Sequence, residues 1–224
     1  MTEKSLNMTL AYPSPLVLVE TFHLKFGHPV RVTPHLDIPE RVLRVDLIAE
    51  EVKELMDAAK DDDFVEVVDA IADILYVTYG AALCHGINVD YKIGNIDHVS
   101  PSVQIFHTLK NEHASLPDKP VFSKIALAKG VPAVVKAFKD YKEASDSGNI
   151  SKLSDALIAL IFSSYSLARR LGVNIDEIME EVQASNMSKL GRDGKPIYRE
   201  DGKILKGPDF FTPDIAKILK KQGL

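Results

Sequence analysis

Residues 69–90, DAIADILYVTYGAALCHGINVD, lie over residues 155–176, DALIALIFSSYSLARRLGVNID, at a fixed offset of 86 positions. Seven of the 22 paired positions are identical, and most of the others exchange one apolar residue for another. The closing Gly-apolar-Asn-apolar-Asp agrees in kind throughout. Ser14-Pro15 falls on Ser100-Pro101 at the same offset, and Phe22-His23 lies near Phe106-His107. One offset kept over so much chain points to duplication of a structural unit. The expectation is a single domain built from two fused copies, repeat 1 at about 14–99 and repeat 2 at about 100–185. These close into a pseudo-twofold bundle, followed by a tail at 186–224.

Local signals make the unit helical. Ser14-Pro15 places a hydroxyl at N-cap and a proline at N1, opening a helix that stops at Gly27 and Pro29. Three prolines mark 28–39 as a connecting loop. A second helix is predicted from about Asp37, its cap, to Lys60. A third runs from about Asp63 to His85 and stops at Gly86. Zero Trp and few alternating runs favour an all-α class, a tandem-duplicated helical bundle. Residues 1–13 read as irregular, and 91–135 is left unassigned.

The chemistry concentrates in 47–77. Glu50, Glu51 and Glu54 fall within one sector of the second helix, and Asp69 and Asp73 lie at i and i+4 on one face of the third. Glu-Glu-x-x-Glu on a helix is commonly a solvated face. Asp73 constrains more, because Ala70, Ile71, Ala72, Ile74, Leu75 and Val77 surround it with apolar side chains, the pattern of a buried helix. A carboxylate there costs several kcal/mol unless compensated. It is either a core acid paired with Arg41, Arg44 or a Tyr hydroxyl, or part of a divalent-metal site with the other four acids. The set at hairpin spacing favours the metal. In the second copy the positions matching Asp73 and Glu51 are Ala159 and Ala137, while Asp140 and Asp155 match Glu54 and Asp69. The first copy is therefore the catalytic candidate and the second its complement.

Composition narrows the rest. A net charge of −5 argues against nucleic acid or an anionic membrane as a partner held by bulk electrostatics. The single cysteine, Cys84, excludes an intramolecular disulfide framework and reads as a buried thiol. No stretch is expected to span a membrane, and the chain reads as soluble and cytoplasmic. The tail, QASNMSKLGRDGKPIYREDGKILKGPDFFTPDI, is turn-rich, with scope for a short β-hairpin around RDGKPIYREDGKI. Lys189, Arg192, Lys195, Lys203 and Lys206 make it basic, which suits polyphosphate beside an acidic metal site.

EEVKEL (50–55) and VVDAIADILYVTYGAAL (67–83) resemble the MazG-like all-α nucleoside triphosphate pyrophosphohydrolases. That superfamily includes phosphoribosyl-ATP pyrophosphohydrolases, dimeric dUTPases and dCTP pyrophosphatases. The phrase SNMSKLGRDGKPIYREDGKILKGPDFF (185–211) and the early Phe22-His23 and Phe26-Gly27-His28-Pro29 resemble the small MazG-like and dUTPase-like members. The resemblance implies Mg²⁺-dependent (Mn²⁺ as substitute) attack of water on the α-phosphorus of a nucleoside triphosphate, releasing monophosphate and pyrophosphate. It assigns Glu50, Glu51, Glu54 and Asp73 to metal. Asp69 is a fifth ligand, with Glu66 as the alternative, because many relatives carry Glu-x-x-Asp where this chain has Ala70. Glu51 is the expected general base, and Asn186, Lys189 and Lys206 the expected contacts to nucleotide or phosphate. The implied role is house-cleaning, with a lean to dUTP or dCTP. Phosphoribosyl-ATP hydrolysis and non-catalytic nucleotide binding by a regulator are the rivals. Single-copy relatives pair to build their sites. Here the second copy supplies that partner surface, and further pairing of two chains into a homodimer is left open.

Overall fold

The computed structural model describes residues 13–93, 124–200 and 204–224. Within these the chain forms α1 (Pro15–Lys25), α2 (Ile38–Lys60), α3 (Phe64–His85), α4 (Val89–Lys92), α5 (Lys124–Ser147), α6 (Ile150–Arg170), α7 (Ile175–Met187) and α8 (Ile215–Gln222). The expected all-α class is what forms. The irregular N-terminus and the matches at Ser100-Pro101 and Phe106-His107 lie outside the described residues, apart from Pro13.

The helix starts follow their side chains. Ser14 Oγ accepts from Leu16 N–H at 3.2 Å, and Asp37 accepts from Glu40 N–H at 3.4 Å. Asp63 accepts from Glu66 N–H at 3.1 Å, satisfying one of the donors that a helix start leaves open. Between α2 and α3 the chain reverses through Asp62, the one described non-glycine residue with positive φ, at 56°. Its carboxylate also takes Lys124 Nζ at 2.6 Å, tying the turn to the start of α5. At the far end of α3, Gly86 turns out at φ 66°. The 28–37 loop then uses the last carbonyls of α3: Arg31 N–H donates to Leu83 O at 3.0 Å and His35 N–H to His85 O at 3.1 Å. The proline-rich loop is thus a cap for the central helix.

The helix bounds keep the offset seen in the sequence. Moved along by 86, α2 and α3 fall at 124–146 and 150–171, against Lys124–Ser147 and Ile150–Arg170. Asp63 and Asn149 cap the matched helices α3 and α6, and Asn88 and Asn174 cap α4 and α7. Gly86 and Gly172 both adopt positive φ, 66° and 75°. Part of the stretch left unassigned, from Lys124 onward, is helical, with Pro132 inside α5.

The α2–α3 and α5–α6 hairpins meet through α2–α5 and α3–α6, and α3 also packs against α1, α7 and α8. Val67, Val68, Ile71, Ile74, Leu75 and Tyr79 of α3 are wholly buried. Facing them from the second half are Leu157, Leu160, Ile161 and Ile178, equally buried in the same core. Each such side chain contributes about 1.5–3 kcal/mol of transfer free energy.

Two expectations change. α3 and α6 are, by length and composition, apolar enough to cross a membrane, contrary to the sequence reading. For α3 its neighbours explain the composition, because a helix covered on most sides needs apolar residues all round, whereas the apolar stretch of α6 is half buried. The tail makes two isolated antiparallel bridges, Leu190 with Pro196 and Tyr198 with Ile204, rather than a continuous hairpin ladder among the described residues. Pro196 lacks the N–H that a ladder needs.

Gly86 tests the capping of α3. A Cβ there would stand 2.0 Å from Thr33 O, whereas one at Gly223, also at positive φ, meets nothing within 4 Å. Gly86→Ala is expected to destabilise the chain by well over the roughly 1–2 kcal/mol that left-handed backbone alone costs. Gly223→Ala should stay near that figure, both read by urea unfolding.

Candidate active site

α2 and α3 bring four of the predicted acids together. Glu51, Asp69 and Asp73 are partly buried, while Glu54 is exposed at the rim. The effect on their protonation is large. Glu51 is pushed up to about 7, first by burial and then by the charges of Glu54, Glu50 and Asp69. Asp69 is pushed up to about 6 by burial, Glu66 and Glu54. Asp73 is raised well above the carboxylate range by burial and by Asp69, Glu51 and Glu54, with Lys189 opposing. Glu50 is exposed and reaches the group through its field on Glu51, and Glu66 acts likewise on Asp69.

The core-acid reading of Asp73 named Arg41, Arg44 or a tyrosine as partner; both arginines and Tyr76, the tyrosine one turn along α3, are engaged elsewhere. Arg44 Nε donates to Glu40 Oε1 at 2.7 Å. Arg41 donates to the Ser145 carbonyl on α5. Tyr76 O–H donates to Gln183 Oε1 at 2.7 Å. The cation that offsets Asp73 is instead Lys189, just beyond α7. Its ammonium donates to Asn186 Oδ1 at 2.6 Å. Burial lowers the Lys189 pKa, Asp73 raises it and Lys206 lowers it again, so Lys189 lies within the field of both Asp73 and Lys206. Lys206 is exposed, its Nζ 4.3 Å from the centre of the Phe210 ring.

No group of three or more Asp, Glu, His or Cys among the described residues already converges tightly enough to enclose an ion. The donor set nevertheless fits a hard divalent cation. It is all carboxylate oxygen, gathered at mutual repulsion that one lysine offsets only in part, and Mg²⁺ takes one or two carboxylates while keeping waters and phosphate oxygens. Among its described residues the second copy has no such set. Asp155 is exposed, and Asp140 is paired with Lys136 at 2.6 Å on the α5 surface.

Two features were not singled out as site residues in the sequence. Tyr76 and Gln183 join α3 to α7 one turn from Asp73 and Asn186, a relation that i+3 spacing offers only once the two helices are known to touch. The second feature is an aromatic group from the Phe22…His28 phrase. Phe22 stacks on Phe26 (ring centroids 4.4 Å apart) and on His28 (5.6 Å), and meets Tyr76 edge-on at 5.7 Å. Phe22 and His28 are partly exposed. Burial and the Arg44 charge lower the His28 pKa, so this ring is neutral near pH 7.

Raised carboxyl pKa values carry a sign for stability. Such groups bind protons more tightly folded than unfolded, so their contribution is complete below about pH 4 and is lost as pH rises through the folded values, about 6 for Asp69 and about 7 for Glu51. Asp73→Asn removes one of the repelling charges. In chelator, its melting temperature is expected to exceed that of the wild type, by a gap that widens from about pH 5 to about pH 8. A gap independent of pH would show that Asp73 does not share this field.

The sequence profile of the phosphoribosyl-ATP pyrophosphohydrolase family matches residues 19–98, which contain α2, α3 and every predicted metal acid. The chain is 32% identical over 192 residues to the uncharacterized protein L479 of Acanthamoeba polyphaga mimivirus, covering 77% of this chain and 69% of that protein. Among solved structures, a protein of Exiguobacterium sp. 255-15 ascribed to the NTP pyrophosphohydrolases aligns over 95% of this chain and 98% of its own, at 21% identity and a TM-score of 0.44. The first half of the chain thus carries a unit of the phosphoribosyl-ATP pyrophosphohydrolase type, and the chain belongs with the mimivirus protein as its relative.

Proposed function

We propose that this chain hydrolyses a nucleoside triphosphate between the α- and β-phosphates, releasing the monophosphate and pyrophosphate, as a cytoplasmic house-cleaning enzyme. The observation that carries the reading is the repelling carboxylate group of α2 and α3 faced by Lys189 from the tail. Glu51, Glu54, Asp69 and Asp73, with Glu50 at the rim, would hold Mg²⁺, or Mn²⁺ in its place. The ion would neutralise phosphate charge and make water easier to deprotonate. Glu51 sits near 7 in the metal-free chain and is the side chain best placed in pKa to take the proton of the attacking water. Lys189, held by Asn186, stabilises charge growing on the departing pyrophosphate, and Lys206 adds to that field. The partly exposed Phe22–His28 stack, one ring from Tyr76, offers a flat surface for the base.

The lean to dUTP or dCTP rests on the resemblance of the tail and acid phrases to dUTPase-like proteins. A second reading, hydrolysis of phosphoribosyl-ATP, is favoured by the profile over 19–98. In either case the second copy serves as an internal partner for the first, giving one active site per chain.

Product analysis with Mg²⁺ over a panel of NTPs, dNTPs and phosphoribosyl-ATP separates these readings. Monophosphate plus pyrophosphate from dUTP or dCTP supports the first, turnover of phosphoribosyl-ATP alone supports the second, and release of single phosphate overturns both. Asp73→Ala is expected to lower turnover by about 100-fold or more with the fold retained. Asp155→Asn, on the exposed face of the second copy, should leave the rate within about twofold. Phe22→Ala should raise KM about tenfold or more, the scale of one base–aromatic stack, without weakening tripolyphosphate.

A further inference from the structure

The tail reaches the acids by an unusual crossing. Gly207 alone of its segment is buried, against the chain just after α7 and so closely that a Cβ on it would stand 2.2 Å from Leu190 O and 2.8 Å from Lys189 O. Real Cβ atoms do not approach backbone oxygens to such distances, and neither carbonyl can rotate away like a side-chain tip. The φ of Gly207 is not in the left-handed region, so backbone conformation does not account for the glycine here. The close approach does.

The crossing sets two lysines side by side. Lys189 carries one of the carbonyls that Gly207 rests on, and Lys206 is the residue before the crossing. The two sides are stitched on either flank. Ser185 Oγ donates to Phe211 O at 2.8 Å, and Ser188 Oγ accepts from Phe211 N–H at 3.1 Å. On the other flank Leu205 N–H donates to Ile197 O at 2.8 Å, and Tyr198 O–H reaches the Phe26 carbonyl at 2.7 Å. A strap fastened at both ends cannot absorb an extra methyl at its middle without lifting from Lys189.

We infer that Gly207 is a positioning residue, whose missing side chain seats the 204–211 strap on the Lys189–Leu190 backbone and so holds Lys189 and Lys206 as a paired site for the β- and γ-phosphates. This rests on the phosphate role proposed above for the two lysines. The chemical class recognised is a linear polyphosphate, whatever base is attached to it.

The test is calorimetric binding of tripolyphosphate to the full-length chain, wild type and Gly207→Ala, with and without Mg²⁺, beside KM and kcat for the best nucleotide. Gly207→Ala is expected to weaken tripolyphosphate about tenfold, the scale of one misplaced charged hydrogen bond, and to raise KM more than it lowers kcat. Gly194→Ala is the control in the same tail: its φ of 72° strains an alanine, but a Cβ there meets nothing within 4 Å, so it tests backbone strain without the close approach. It should leave tripolyphosphate binding unchanged. In a Lys189→Met background Gly207→Ala should cost clearly less than it does in the wild type, leaving only the share carried through Lys206, whereas a merely structural role would add its full effect. Equal binding by wild type and Gly207→Ala, or additive losses in the double variant, overturns the role of Gly207 alone. If wild type does not bind tripolyphosphate under either condition, the phosphate-site reading fails and this inference with it.

Discussion

Burial of α3 on nearly every side is the constraint from which the rest of the structure follows. A helix carrying Ile71, Ile74, Leu75 and Tyr79 with no exposed surface needs neighbours in all directions, and α1 and α2 cover only part of it. The remaining cover comes from α6, α7 and α8, all from the second half of the chain. The second half of the chain is therefore needed for the stability of the first, although it carries few of the acids. Apolar burial is non-directional, so Ala159 can stand where Asp73 stands without loss to the bundle.

The same burial creates the site. Where α3 passes α2, one strip of otherwise apolar contact holds Asp69 and Asp73 against Glu51 and Glu54. Low local dielectric and like charge together make ionisation costly there. The nearby arginines do not relieve it. Arg44 is committed to Glu40, and Arg41 to the carbonyl end of α5. Compensation arrives from the tail through Lys189, and a cation added from solution would complete it. Stability is opposed to ionisation in this strip, which supports the metal and polyphosphate role proposed above.

Much of the local structure was legible because its causes are local. Ser14, Asp37 and Asp63 cap the helices they precede, and Gly86 ends α3, since these depend on a side chain reaching an amide two or three residues away. The 86-residue offset was equally visible, and the helix bounds keep it. The sequence reading missed that α3 and α6 are long and apolar enough to cross a membrane, and composition alone does not distinguish a helix surrounded by protein from one surrounded by lipid. The hairpin expectation reduced to two bridges, with Pro196 at one of them.

What the amino-acid order determined by itself was α1, α2 and α3, the 86-residue offset that the later helix bounds keep, and the gathering of five acids onto two adjacent segments. Periodicity and capping act over a few residues and need no knowledge of neighbours. The partners across long separations belonged to the tertiary structure. It chose Lys189 rather than Arg41 or Arg44 to face Asp73, joined Tyr76 to Gln183, stacked Phe22 on His28 beside them, and pressed Gly207 onto Lys189. Each of these depends on which helix faces which once α3 is covered. That is settled by packing the whole core, and no short window of sequence contains it.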